Sequence, residues 1–211
     1  MTEKFRNGKP FVVVEGGSGV GKTTAIKGII SHLPGWRLLR EPGGTDFGDL
    51  MREAVQEHPN MEIDPVASLF AYSASRANLV SQEIIPTLAG SSETQGVLLD
   101  RYWFSTYAYQ GSEKVPKAII MEISKLATKG LLPDLVLHFD LAPELAMMRK
   151  EGCADIDRYD MKKLDFHARV REAYLELSQL YPEIWKVIDA SQSKEWVLAD
   201  ALNALQERGM I

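Results

Sequence analysis

One cysteine, Cys153, is all the thiol chemistry the chain has, so it makes no internal disulfide and nothing points to an oxidising compartment. No apolar run approaches the roughly 20 residues that a membrane span needs. The opening segment, Met1 to Pro10, lacks the apolar core of a secretory signal. His32, His58, His138 and His167 have no metal-ligand spacing and read as surface or strand-face residues. Positive charge is in deficit, 24 Lys and Arg against 29 Asp and Glu, for a net charge of −5. That argues against bulk binding of nucleic acid or an anionic membrane, so any anionic ligand must be held by a local cluster of cations. The expected address is the cytoplasm. What remains is 211 residues, 45% hydrophobic and 25% charged, without repeats or low-complexity tracts. These proportions suit one globular domain over residues 1–211, with room for a small lid.

Short β-branched runs alternate with helical stretches. Phe11–Glu15 reads as a buried strand, Lys22–His32 as the helix after it, and Trp36–Arg40 as a weaker strand. Asp64 and Pro65 suit the cap and first position of a long helix that runs past Val80 to a bend near Pro86. Gly96–Asp100 and Leu135–Asp140 are further strands, each ending in aspartate. Helical periodicity returns over Pro116–Thr128, Glu144–Lys150 and Met161–Tyr181; Glu183–Asp189 is a last strand and Lys194–Arg208 a closing helix. Such alternation predicts an α/β fold with a parallel sheet covered on both faces and ligands at the carboxyl ends of its strands.

The strongest local signal is Gly16-Gly17-Ser18-Gly19-Val20-Gly21-Lys22-Thr23, which fits the phosphate-loop pattern in full and lies between a strand and a helix, followed by Thr24. Glycines let backbone N–H groups turn inward around phosphate oxygens, and the helix N-terminus adds its positive dipole end. Lys22 then reaches the outer phosphates and the Thr23 hydroxyl is suited to Mg²⁺. The pattern implies a nucleoside triphosphate with Mg²⁺, not a particular reaction. A metal carboxylate is expected on a neighbouring strand. Asp100, which leads into Arg101, is preferred to Asp140, which precedes Leu-Ala-Pro and suits a helix cap.

Arg40, Arg52, Arg76 and Arg101 each adjoin a distinctive local sequence near strand ends or loops. Arginine suits bidentate phosphate recognition, so a shared site for a second phosphate is one reading and four solvated surface arginines the other. Tyr72 and Arg76 are four apart and share a helix face. A base-stacking pair is one reading; spacing alone favours a core stripe with Leu69 and Phe70.

Glu41-Pro-Gly-Gly-Thr45, Tyr72-Ser-Ala-Ser-Arg76 and Asp100-Arg-Tyr-Trp-Phe-Ser-Thr-Tyr-Ala-Tyr-Gln-Gly111 follow the phosphate loop in this order. With Pro133–Asp140, Asp157-Arg158 and Ile188–Gln192, they make the chain resemble the thymidylate kinases from about Phe11 onward. The resemblance implies a P-loop NTPase fold with a five-stranded parallel sheet, a mobile lid near residues 142–158 and a homodimer. It implies phosphorylation of dTMP to dTDP by ATP with Mg²⁺, on the path to dTTP, the metal being held by Thr23 and Asp100. ATP contacts are expected from residues 16–24 and from Ala190, Ser191 and Gln192. Glu41, Pro42, Arg52, Tyr72, Arg76, Arg101, Ser105, Thr106 and Tyr109 are expected to bind dTMP. Tyr72 takes the place of a phenylalanine stacked on thymine, Arg76 bonds the base carbonyl, and Arg52 and Arg101 take the acceptor phosphate. Thr106 and Tyr107 are expected beside the base, Tyr109 closes over the deoxyribose, and Glu41-Pro42 is a candidate cis bond.

Two positions depart from the family pattern. Ser18 stands where an acidic residue is usual, and Gly19 stands where one branch carries a catalytic arginine. The lid segment offers Arg149, Lys150 and Arg158, with Glu151 and Cys153 where arginines are common. Lys22, Arg101, Arg149 and Arg158 are the expected catalytic set, with Arg149 preferred for the transition state. A P-loop switch that acts through partners is the competing class, but N-K-x-D is absent, as is a D-x-x-G following the loop. A nucleoside kinase would need a base aimed at a hydroxyl, which this arginine set does not suit.

Overall fold

The computed structural model describes residues 7–58, 61–90, 93–151 and 158–211. Its sheet has five parallel strands: β1 (Phe11–Glu15), β2 (Trp36–Arg40), β3 (Gly96–Asp100), β4 (Leu135–Asp140) and β5 (Trp185–Asp189), in the order β2-β3-β1-β4-β5. β1 is central and wholly buried, as a run of Phe and Val flanked on both sides demands. Its neighbours β3 and β4 pair on opposite edges, so the loop leaving β1 opens at the switch point of the sheet, where ligands of such folds bind.

Successive side chains alternate between two cores. Phe11, Val13, Leu99 and Val136 pack with α3 (Pro65–Leu79), α5 (Trp103–Ser112), α6 (Lys117–Ala127) and α8 (Leu164–Leu180). Val12, Val14, Leu98 and Leu137 pack with α1 (Lys22–Ser31) and α9 (Lys194–Glu207). Two helices on the ligand side have side-chain caps. Thr45 Oγ1 accepts from Gly48 N at 3.0 Å to start α2 (Asp46–Gln56), and Asp64 Oδ1 accepts from Val66 N at 2.8 Å to start α3.

The expected helix past Val80 is present in modified form. α3 gives way to a π-helical turn at Val80–Ile84 and then to α4 (Ile85–Ala89), so the chain accommodates Pro86 without breaking. α8 starts three residues later than the Met161 expectation, at Leu164, and β5 starts at Trp185 instead of Glu183. α5 was not read as a helix. Trp103, Phe104, Tyr107 and Tyr109 are all buried there, so it shows no polar face and its aromatic composition resembles a strand.

Candidate active site

β1 ends at Glu15 and the chain turns through Gly16, Gly19 and Gly21, all at positive φ (145°, 74° and 95°), before α1 begins at Lys22. Side chains are excluded at two of these. A Cβ at Gly16 would stand 2.6 Å from the Phe139 carbonyl oxygen, and one at Gly19 would stand 2.2 Å from that of Ala146, on α7 (Pro143–Lys150). No side chain caps the N-terminus of α1 and no acidic residue lies in its first turn, so its N–H groups suit an anion. Lys22 folds back onto the loop, donating from Nζ to Gly16 O at 2.9 Å and Gly17 O at 2.5 Å. Burial lowers its ammonium to about 7, and the Arg101 charge adds to the fall. Thr23 and Thr24 are exposed at the head of the helix.

Arg101 follows β3 in the left-handed region, φ 67°, where a non-glycine residue is strained. It is held by its side chain. Nη1 donates to Gly16 O at 3.2 Å and to Ser105 Oγ at 3.0 Å, and the guanidinium lies 5.4 Å from the Tyr109 ring centre. Beneath it lies Glu15, buried, accepting from Tyr102 N at 2.7 Å, Ser105 Oγ at 2.7 Å and Tyr174 OH at 2.9 Å. Burial raises the Glu15 carboxyl against the opposing pull of Arg101. Asp100 Oδ1 is buried with no hydrogen-bond partner among the described residues. Asp140, the alternative carboxylate, is fully engaged by Arg171 at 2.7 and 2.8 Å and caps no helix.

On the other side of Arg101 lies a cavity open to solvent. Glu41, Pro42, Tyr72, Arg76, Arg101, Ser105, Thr106 and Tyr109 line it, so eight of the nine expected acceptor residues converge. The ninth, Arg52, is half-buried at its edge and donates to Pro42 O at 3.4 Å. The Glu41-Pro42 peptide is cis. Arg76 is 2% exposed and fixed on both sides, from Nε to Glu41 Oε2 at 2.7 Å and from Nη2 to Thr106 Oγ1 at 3.0 Å. Its Nη1 and the Glu41 Oε1 have no partner among the described residues. Burial raises the Glu41 carboxyl to about 7, and Arg76 pulls it back only in part. Tyr72 is buried in the core with Leu69 and also lines the cavity, whereas Phe70 is exposed, so the expected core stripe does not include Phe70. Arg40 is exposed with Asp49 at 3.6 Å and stays outside the cavity. Tyr107 is also outside: its hydroxyl donates to Glu176 at 2.8 Å, toward α8.

The lid cations are each engaged by protein groups in this structure. Arg149 Nη1 donates to Ala190 O at 3.0 Å, on the turn after β5 that also carries Ser191 and Gln192. Arg158 is buried on the acceptor side, donating to Ser68 Oγ at 3.2 Å with Glu113 at 3.7 Å, so packing holds it there. Asp160 does not pair with Arg158. It accepts from the Ser18 hydroxyl through Oδ1 and from Lys150 Nζ at 2.6 Å through Oδ2. Cys153 and Asp157 lie outside the described residues.

Sequence reasoning missed Glu15, Gln56, Gln110, Tyr159 and Asp160 as site components. Glu15 carries the one usable sign, a charged residue closing an otherwise apolar buried strand. Gln56, Gln110 and Tyr159 line the cavity from α2, α5 and the segment before α8, far apart in sequence. His138 is buried and stacked on Tyr174, and burial lowers it to about 4, so it stays neutral at pH 7.

A family model described as "Thymidylate kinase" matches residues 14–201. The chain is similar to a protein named thymidylate kinase from Caldanaerobacter subterraneus subsp. tengcongensis, 38% identical over 202 residues covering 93% of this chain and 95% of the relative. A thymidylate kinase from Deinococcus radiodurans is 36% identical over 204 residues, covering 94% and 97%. One from Nitratidesulfovibrio vulgaris is 38% identical over 208 residues, covering 93% and 95%.

Proposed function

The chain belongs to the thymidylate kinase family, and from that premise we propose how its residues divide the work of phosphorylating dTMP to dTDP with ATP. The observation that carries the division is Arg101, which touches the phosphate loop at Gly16 and also lines the acceptor cavity. It therefore spans the path between donor and acceptor.

On the acceptor side, the thymine slots against Tyr72, and the open Nη1 of Arg76 meets a base carbonyl. Glu41 and Thr106 have already fixed the guanidinium, so binding costs little ordering there. Arg52 and Arg101 take the acceptor phosphate, Ser105 orients Arg101, and Tyr109 covers the sugar. Pro42 holds Arg52 through its carbonyl.

On the donor side, the loop N–H groups and Lys22 receive the β- and γ-phosphates, and the 190–192 turn with Arg149 borders the adenine. The phosphate oxygens draw Lys22 off the Gly16 and Gly17 carbonyls and restore its charged form, since anions oppose the effect of burial. The residues fit Mg²⁺: Asp100 offers an unpartnered buried carboxylate oxygen, and Thr23 offers an exposed hydroxyl. When bound there, Mg²⁺ would screen the β,γ-oxygens, with most of its remaining ligands supplied by phosphate and water. In the transfer an acceptor phosphate oxygen donates the electron pair of the new bond to Pγ, and ADP leaves with the pair of the old one. The acceptor is already an anion at neutral pH, so no general base is required. The protein's part is alignment, charge screening and exclusion of water by a lid near residues 142–158.

A panel of monophosphates assayed with ATP by ADP release tests the slot. dTMP should lead, with ribonucleotides poorer. A purine monophosphate turned over as well as dTMP would sink the pyrimidine assignment.

We further propose a cytoplasmic homodimer. Phe47 and Leu50 on α2 and Val66 and Phe70 on α3 are exposed apolar side chains on two helices that pack together. Sedimentation should give a dimer, and Phe70→Glu a monomer; a monomeric parent protein would remove the proposal.

A further inference from the structure

We propose that Glu15, the last residue of β1, is the positioning residue for Arg101, fixing its backbone and its guanidinium at the same time. This rests on the reading above, in which Arg101 takes the acceptor phosphate, and names the group that sets its place.

Arg101 has a φ of 67°, which an L-residue leaves unless its surroundings over-determine it. Here the peptides on both flanks are held by consecutive residues of β1. Arg101 N donates to Val14 O at 3.0 Å, and Tyr102 N donates to Glu15 Oε1 at 2.7 Å. The first bond continues the ladder between β1 and β3. The second is made by a side chain, so it depends on the residue type at position 15.

The same carboxylate reaches the far end of the arginine. Glu15 Oε2 accepts from Ser105 Oγ at 2.7 Å, and Ser105 Oγ accepts from Arg101 Nη1 at 3.0 Å. Tyr174 OH, from α8, lies 2.9 Å from Glu15 Oε2 and 2.8 Å from Ser105 Oγ, so its proton braces this relay. The next residue, Gly16, accepts from the guanidinium at 3.2 Å through its carbonyl. Val14, Glu15 and Gly16 thus hold Arg101 at its own N–H, at the N–H that follows and at its head group. The start of the phosphate loop and the acceptor cation form one piece, which sets the spacing between donor and acceptor phosphates.

The carboxylate itself needs a reason to be there. Glu15 is 0% exposed, and burial works against its ionised form, while the Arg101 charge and three hydrogen-bond donors work for it. An apolar residue would close a buried strand without that conflict. Glutamate adds a counter-charge that keeps the guanidinium in place when the acceptor phosphate arrives and pulls on it. A cation aimed beforehand needs no ordering as the ligand binds.

The test is calorimetric binding of dTMP against thymidine on the full chain, together with steady-state kinetics. Thymidine has the same base and sugar without the phosphate that Arg101 takes. Glu15→Gln keeps the size of the side chain and removes its charge. Affinity for dTMP should fall about tenfold, the scale of one bond to a charged group, while that for thymidine stays within about twofold. The kcat should fall by about tenfold as the aim loosens. In an Arg101→Met background, Glu15→Gln should weaken dTMP no further, because a residue that acts through another is not additive with it. A Glu15 that only supports the fold would weaken both ligands alike, and its effect would add to that of Arg101→Met; either result would overturn the proposal. Should Glu15→Gln not fold, Tyr174→Phe carries the same test, since it keeps the ring stacked on His138 and removes one donor. It should weaken dTMP by about threefold and leave thymidine unchanged; equal losses, or none, would overturn the proposal. The parent protein tests the premise separately. A parent that binds thymidine as tightly as dTMP would remove the reading of Arg101, whereas a parent that prefers dTMP and loses nothing in Glu15→Gln would remove only the role of Glu15.

Discussion

The acceptor cavity and the donor face meet at Arg101 but are built on opposite principles. Around Arg76 the cavity wall is drawn from the interior: Arg76, Glu41 and Thr106 are buried, and Arg76 is bonded to the other two before any ligand arrives. The donor face has glycine backbone, exposed threonines and a lysine resting on loop carbonyls, with partners supplied on binding. Acceptor recognition is therefore part of the folding free energy, whereas donor recognition is assembled with the nucleotide. Damage to the first should show in stability and KM together; damage to the second should show in kcat alone.

The largest expected effect is on the acceptor side. Arg76→Ala removes the cation that pulls Glu41 down, so the Glu41 carboxyl is protonated at neutral pH and Thr106 and Glu41 lose their buried partner, which should destabilise the fold by about 1–3 kcal/mol. It should also raise the KM for dTMP while sparing that for ATP. Denaturant melts with initial-rate kinetics check both, and an unchanged melt would show the cavity is not preassembled. On the donor side, Lys22→Ala should lower kcat by roughly 10²–10³-fold with a normal melt, because it removes a charge that burial already disfavours. A large loss of stability there would erase the contrast.

The third prediction concerns pH. The folded Glu41 carboxyl titrates at about 7 against an ordinary 4.5, so between these values the native state holds a proton that the unfolded chain has released. Stability from this group is present below pH 4.5 and lost as pH rises through 7, by at most about 3 kcal/mol. Glu41→Gln should flatten that slope in melts taken across the window. The smallest effect is selectivity between acceptors. Losing one buried methyl should favour dTMP over dUMP by about 10–200-fold in kcat/KM, and equal values would mean that the rigid wall leaves the methyl position open.

The same division explains what could be read from the sequence. The phosphate loop is one contiguous string whose spacing carries its mechanism, and β1, β3 and β4 announce themselves as short buried apolar runs. Arg76 and Tyr72 were visible as a pair on one helix face, but their burial depends on α2 and α5 packing over them. α5 itself was hidden because its composition has no polar face to set a period. The lid was the least legible part. Arg149, Lys150 and Arg158 are near neighbours in sequence, and only tertiary contacts with Ala190, Asp160 and Ser68 tell them apart.

For anyone redesigning this loop, position 19 is a closed door. With φ at 74° and the Ala146 carbonyl where a side chain would begin, even alanine requires α7 to retreat. Residue 19 thus acts as a steric gauge for the height of that helix above the nucleotide site. A chain with a large side chain there must seat the helix farther out, so transplanting an arginine into this loop means rebuilding the segment above it as well. The loop and the helix are a single unit of inheritance, to be exchanged together or left alone.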